Sequence, residues 1–174
     1  MSTQLELVQG DITQVKADAL VSAANSALRG GGGVDGAIHA AAGPELLSAC
    51  QQIGGCPTGS AVMTDAFDLE KNGVKRIIHA VGPIWQGGEQ GESGLLQNAY
   101  QTSLQLAEEA GLKTIAFPSI STGVYGFPLA QAAPLALSVI RERAGEHESV
   151  LHKVTFVLFD QVSYEAFSQA AAHI

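Results

Sequence analysis

Cysteine is scarce: Cys50 and Cys56 are the only two in 174 residues. Two are too few for a disulfide scaffold, and their spacing is not that of a CxxC redox or zinc motif. A reducing, cytoplasmic setting with both thiols buried is the expectation. Positive charge is also short. Nine Lys and Arg stand against 17 Asp and Glu, for a formal net charge of −8. That balance excludes broad binding to nucleic acid or to an anionic membrane, because both need a basic footprint. It still permits a small anion held by backbone N–H groups. No run approaches the ~18 apolar residues of a membrane-spanning helix. The opening residues, MSTQLELVQGD, carry neither the basic nor the apolar stretch of a secretion signal.

What is present is an ordinary globular composition, 46% hydrophobic. The length fits one domain, residues 1–174, with room for a core that needs no disulfide or metal staple. Short apolar runs predict strands at 5–8, 19–24, 61–66, 76–81, 114–118 and 154–159. The runs Ile77–Val81 and Thr114–Phe117 are almost continuously apolar, as in strands covered on both faces. Helical spacing predicts helices at 35–42, 45–53, 94–110, 129–144 and 164–172. Asp35 is the expected N-cap of the first, Pro44 suits the start of the second, and Gly111 ends the third. The glycine-rich stretch 86–94 reads as a surface loop inside the domain. Strands alternating with helices give an α/β domain with helices on both faces of a largely parallel sheet. Ligands of such sheets bind outside the carboxyl ends of the strands, which directs attention to the loops there.

Two of those loops carry unusual chemistry. The first, Asn25-Ser-Ala-Leu-Arg-Gly-Gly-Gly-Gly-Val-Asp35, joins a strand to a helix through four consecutive glycines. Such a backbone can approach a ligand closely, and its N–H groups with the helix N-terminus form an anion nest. The second, Ser119-Ile-Ser-Thr-Gly-Val-Tyr-Gly-Phe-Pro128, also joins a strand to a helix. Gly123 and Gly126 free its backbone, Ser121 and Thr122 offer hydroxyl donors, and Tyr125 is placed to lie over a sugar or base. Two nests at one sheet edge suit two adjacent phosphates, so a diphosphate ligand is the expectation.

Familiar alternatives fail on spacing. Neither loop holds the lysine of a phosphate-binding GxxxxGK[ST] motif. Gly31–Gly36 matches GxGxxG, but Asn25–Arg29 separate it from the strand and no acidic residue follows at the dinucleotide-binding distance. No GxSxG elbow is present. His147-Glu148 with His152 is HExxxH, which puts the histidines off one helix face, and reads as a solvated turn. His39 lies one helical turn after Asp35, as a site neighbour or a structural partner. His79 falls mid-strand, as a core histidine.

Taken in order, Gln9–Thr13, Val21–Asn25, Gly30–His39, Ala42–Pro44, Cys56–Gly59, His79–Pro83 and Pro118–Pro128 resemble the macrodomain family, in particular its MacroD-type branch with the bacterial O-acetyl-ADP-ribose deacetylases. The resemblance runs nearly end to end. It implies a three-layer α/β/α sandwich around a mixed, largely parallel six-stranded sheet. It implies an ADP-ribose cleft at the strand ends and hydrolysis of an ester on the distal ribose, without metal or cofactor. Its substrates would be O-acetyl-ADP-ribose or mono-ADP-ribose on acidic protein side chains. Carried over position by position, Asp11 would accept from the adenine amino group beside the Ile12 backbone, alongside or in place of capping the next turn. Asn25 would hold a distal-ribose hydroxyl, and Asp35 would orient or activate water. Gly32, Gly33 and Val34 would line the distal ribose and diphosphate. Ser121, Thr122, Gly123, Val124, Tyr125 and Gly126 would wrap the phosphates. Phe159 would stack on adenine or else belong to the core.

Two positions depart from the family pattern. Ser22 replaces a usual asparagine, with little expected effect, and Ala40 replaces a common arginine at the rim. Intact Asn25 and Asp35 favour an enzyme over a non-catalytic ADP-ribose reader, a regulator binding a ribonuclease, or a phosphatase acting on ADP-ribose 1″-phosphate. A monomer is expected.

Overall fold

The computed structural model describes residues 3–146 and 149–173, with the side chains of 144–146 left out. The turn read at His147-Glu148 lies outside the described residues. Strands β1 (Gln4–Gln9), β2 (Ala19–Ala23), β3 (Ala61–Asp65), β4 (Arg76–Ala80), β5 (Thr114–Phe117) and β6 (Lys153–Leu158) form one sheet in the order β1-β6-β5-β2-β4-β3. Every pairing is parallel except β3 with β4. The helices are α1 (Gly33–Ala42), α2 (Glu45–Ile53), α3 (Glu92–Glu109), α4 (Leu129–Glu146) and α5 (Gln161–Ala172). All six strands and all five helices match the elements expected from the residue pattern.

The two-residue period of the strands sorts side chains to opposite faces. Ala19 and Val21 of β2 and Ile78 and Ala80 of β4 join the cluster under α3, α4 and α5. Leu20 and Ile77, one residue out of phase, join the cluster under α1 and α2. The result is a three-layer α/β/α sandwich. Its larger core is aromatic at the centre. Phe156 stacks on Phe117 with ring centroids 5.4 Å apart, and meets Phe167 of α5 at 5.1 Å and Tyr100 of α3 at 5.8 Å. Fully burying each such ring contributes about 1.5–3 kcal/mol.

Helix starts differ from expectation for local reasons. α1 begins at Gly33 with Gly32 as N-cap, so Asp35 is inside the first turn rather than capping it. Its side chain is turned inward to a partner on β2, described below, and is unavailable as a cap. α5 starts at Gln161, because Asp160 caps it by accepting from Ser163 N at 2.8 Å. α3 starts at Glu92, two residues before the apolar stripe begins. No described helix is long and apolar enough to cross a membrane.

Candidate functional site

The carboxyl ends of β2, β4 and β5 open onto a cavity of about 380 Å³. Its lining draws on both glycine loops: Asn25 and Gly31–Asp35 from the first, Ser119–Ser121 and Gly123–Tyr125 from the second, and Gly82 after β4. A larger groove of about 560 Å³ lies between α3 and α4, away from these strand ends. Its polar lining is amides, one arginine and one glutamate, with none of the two glycine loops' residues.

At one end of the cavity, Asn25 is held by its own loop. Its Nδ2 donates to Gly30 O at 3.0 Å and its Oδ1 accepts from Arg29 N at 3.2 Å. Asp35 is 3% exposed. Its Oδ1 accepts from Ser22 Oγ at 2.6 Å, and His39 Nε2 lies 3.7 Å from the same oxygen. Ser22, one of the two positions that depart from the family pattern, therefore has a direct partner in the site. The other oxygen, Oδ2, faces Gly31: a Cβ built there would lie 3.9 Å from it and 3.7 Å from Asn25 Nδ2. Amide and carboxylate thus flank one point on the cavity wall. Gly36 holds the glycine loop close, since a Cβ there would come within 2.5 Å of Gly31 O.

The second loop is bent sharply. Ser121 has φ +68 and Gly126 φ +74, in the left-handed region. Phe127 N donates to Ser121 O at 2.9 Å and Gly126 N to Gly123 O at 3.0 Å. Among the described residues, the N–H groups of Thr122, Gly123, Val124 and Tyr125 have no protein acceptor. Ser121 Oγ is buried without a partner, an exception of the kind that needs a reason. The Thr122 hydroxyl lies 2.7 Å from Ser119 Oγ and braces the loop. Val124 is fully exposed at the loop tip.

Residues far from the cavity mouth hold this loop, and the sequence pattern gave no role to them. Tyr100 is buried in α3, and its hydroxyl accepts from Ile120 N at 2.9 Å and donates to Pro118 O at 3.4 Å. Burial pushes its ionisation up, only partly offset by the Ile120 N–H. Trp85 N donates to Tyr125 O at 2.8 Å and ties the neighbouring loop to it. That neighbouring loop is fixed by Glu92, 1% exposed, whose carboxylate accepts from the N–H groups of Gln86, Gly88 and Gln90 at 2.6–3.0 Å. Burial alone would raise this carboxyl; the N–H donors prevail and hold it at about 2.

Asp11 and Phe159 lie at the same carboxyl end of the sheet, toward its β1 edge, just beyond the paired ends of β1 and β6. Asp11 Oδ1 accepts from Thr13 N at 2.9 Å and Thr13 Oγ1 at 2.7 Å, capping a turn over Ile12–Gln14. Ile12 is buried. Phe159 is 77% exposed, which rules out the core reading for it.

Behind Asp35, ligand atoms of His39, Cys50 and His79 lie within 4.8 Å of one another. Burial, then the charge of Asp35, pushes the Cys50 thiol up to about 11, so it stays protonated at neutral pH. His79 is lowered to about 4 by burial and by nearby His39. Thr64 Oγ1 lies 3.0 Å from Asp65 O and 3.0 Å from His79 Nε2 and gives the ring a buried polar partner. His79 is the neutral core histidine expected. Both cysteines are buried and unpaired.

The Macro domain family model matches residues 21–136. The chain belongs to the macrodomain family. It is 50% identical over 169 residues to a Macro domain-containing protein of Lactiplantibacillus plantarum, covering 97% of this chain and 96% of that one. It is 52% identical over 165 residues to the O-acetyl-ADP-ribose deacetylase of Escherichia coli, covering 92% and 91%. The Oceanobacillus iheyensis macrodomain, solved with ADPR as a glycine-to-valine mutant, superposes with a TM-score of 0.92 at 42% identity, covering 99% of this chain and 94% of that one. The Trypanosoma brucei macrodomain in complex with ADP-ribose gives 0.89 at 37% identity, covering 97% and 69%.

Proposed function

We propose that this macrodomain binds ADP-ribose across its strand ends and hydrolyses acyl esters on the distal ribose. One observation carries the reading: a single cavity brings the Asp35 carboxylate and the Asn25 amide to one point, and holds an unpartnered buried hydroxyl on Ser121. A diphosphate supplies the acceptors that Ser121 Oγ and the free N–H groups of 122–125 lack. It needs no lysine, which fits a chain of net charge −8. Two relatives support the reading: one is named O-acetyl-ADP-ribose deacetylase and another was solved with ADPR.

In this reading Asp11 uses its carboxylate on the adenine amino group, beside the Ile12 backbone, while still capping its own turn. Phe159 covers the adenine face. Gly32, Gly33 and Val34 follow the diphosphate to the distal ribose, and the loop from Ser121 to Gly126 closes over it, with Tyr125 on the distal side. Asn25 holds a ribose hydroxyl. Water bound at Asp35 Oδ2 attacks the ester carbonyl carbon and gives its proton to the carboxylate or to a substrate phosphate. The acyl–oxygen bond then breaks, and acetate and a ribose hydroxyl leave. General-base help of this kind contributes about 10²–10⁴-fold, and positioning supplies much of the remainder. The same geometry accepts mono-ADP-ribose esterified to acidic protein side chains. Two unpaired thiols fit a reducing cytoplasm.

The test is acetate release from O-acetyl-ADP-ribose in the presence of chelator. The unaltered chain turns over and Asp35→Ala loses at least about 100-fold in kcat. ADP-ribose binding without turnover in the unaltered chain would make this a reader instead.

A further inference from the structure

Ser22 stands near the end of β2 with no exposed surface, on the sheet face covered by α1 and α2. It does not line the cavity; Ala23, the next residue, does. Its Oγ donates to Asp35 Oδ1 at 2.6 Å, a short hydrogen bond. This makes the two oxygens of Asp35 unlike. Oδ1 is turned into the protein, between Ser22 and His39. Oδ2 is left on the cavity side, toward Gly31 and the Asn25 amide. The last torsion of an aspartate is broad and roughly two-fold, so packing alone fixes it weakly. A donor on a central strand fixes it well: β2 is paired with β4 at Ser22↔His79 and with β5 at Ala19 and Leu20.

We infer that Ser22 is a positioning residue for the proposed ester hydrolysis: by anchoring Asp35 Oδ1 it aims Oδ2 at the attacking water. The inference rests on the hydrolase reading above. Ser22 does not line the cavity, so its loss acts on the step and not on binding. Removing it leaves Oδ1 buried with only the longer His39 approach, and lets the carboxylate turn away from the water.

The experiment compares the unaltered chain with Ser22→Ala and Ser22→Cys. Cysteine keeps the shape but is a weak donor, which separates the hydrogen bond from packing. Three quantities are read: kcat and KM for acetate release from O-acetyl-ADP-ribose, ADP-ribose affinity by calorimetry, and the melting temperature. A lost charge-assisted hydrogen bond predicts a fall in kcat of about 10- to 100-fold in both variants. KM and ADP-ribose affinity stay within about two-fold, since no ligand contact is removed. Parental kcat in either variant overturns the inference, as does a parallel loss of binding, which would mark a merely structural role. An unaltered chain that releases no acetate overturns the hydrolase reading itself, a result distinct from both.

Discussion

Gly82→Ala adds one methyl group at the junction of the two halves of the site. The new Cβ would lie 2.1 Å from Ser121 Oγ and 2.5 Å from Ile120 Cγ2. Carbon atoms in ordinary contact are about 3.5–4.0 Å apart. Ile120 is 1% exposed, so it cannot retreat without moving the backbone that carries Ser121. Ser121 also holds φ +68, a conformation that already costs a residue with a side chain. The loop must therefore move as a unit. Overpacking of this kind costs about 1–3 kcal/mol, and for a chain of this size each kcal/mol lowers Tm by roughly 2–4 °C. At 2–3 kcal/mol the drop is about 4–12 °C. Displacing Ser121 and the N–H groups after it also weakens ADP-ribose binding by at least about ten-fold. Gly94→Ala is the control: it lies in α3 with nothing within 4 Å of its Cβ position. There alanine stabilises by about 0.5–1 kcal/mol. Thermal denaturation and calorimetry read both variants. A Gly82→Ala protein that melts with its parent and binds ADP-ribose as well would refute the close-packing argument.

Phe159→Ala removes an exposed ring outside the core, so Tm stays and ADP-ribose affinity falls by the ~1–3 kcal/mol of one stacked base; a lower Tm with unchanged affinity would mean the ring packs on protein instead. Two acid windows follow from the buried groups. Unfolded His79 takes its proton near 6.5 and the folded ring only near 4, so stability is lost as pH falls between those values. Glu92 ionises at about 2 when folded against 4.5, so its contribution is present above 4.5 and fades as pH falls towards 2. Urea midpoints measured against pH should flatten in the first window for His79→Gln and in the second for Glu92→Gln, and profiles parallel to the parent's would contradict both assignments.

The order of elements was legible because strand and helix leave different periods, and Ile77–Val81 and Thr114–Phe117 could be little else than buried strands. The two glycine loops were legible because Gly30–Gly33 and Gly123-Val-Tyr-Gly126 break those periods at strand ends. What stayed hidden is tertiary. Asp35 looked like a cap because Asp before an apolar helix usually is one; its true partner, Ser22, is 13 residues away. Tyr100 fits the apolar stripe of α3, and nothing local says that its hydroxyl holds Ile120. Glu92 sat in a stretch read as loop, although a carboxylate after Gly87, Gly88 and Gly91 is a readable signal for capturing loop N–H groups. The exposure of Phe159 was open from sequence, because an aromatic at a strand end serves the core or a ligand equally well.

In the proposed function one ligand spans the strand ends from Phe159 to Asp35. A crystal structure of this chain with ADP-ribose tests it most directly. The account predicts adenine between Asp11 and Phe159, the diphosphate on Ser121 Oγ and the N–H groups of 122–125, and the distal ribose between Asn25 and Asp35 Oδ2. ADP-ribose in the amide-lined groove between α3 and α4, or a diphosphate leaving Ser121 unpartnered, would contradict it.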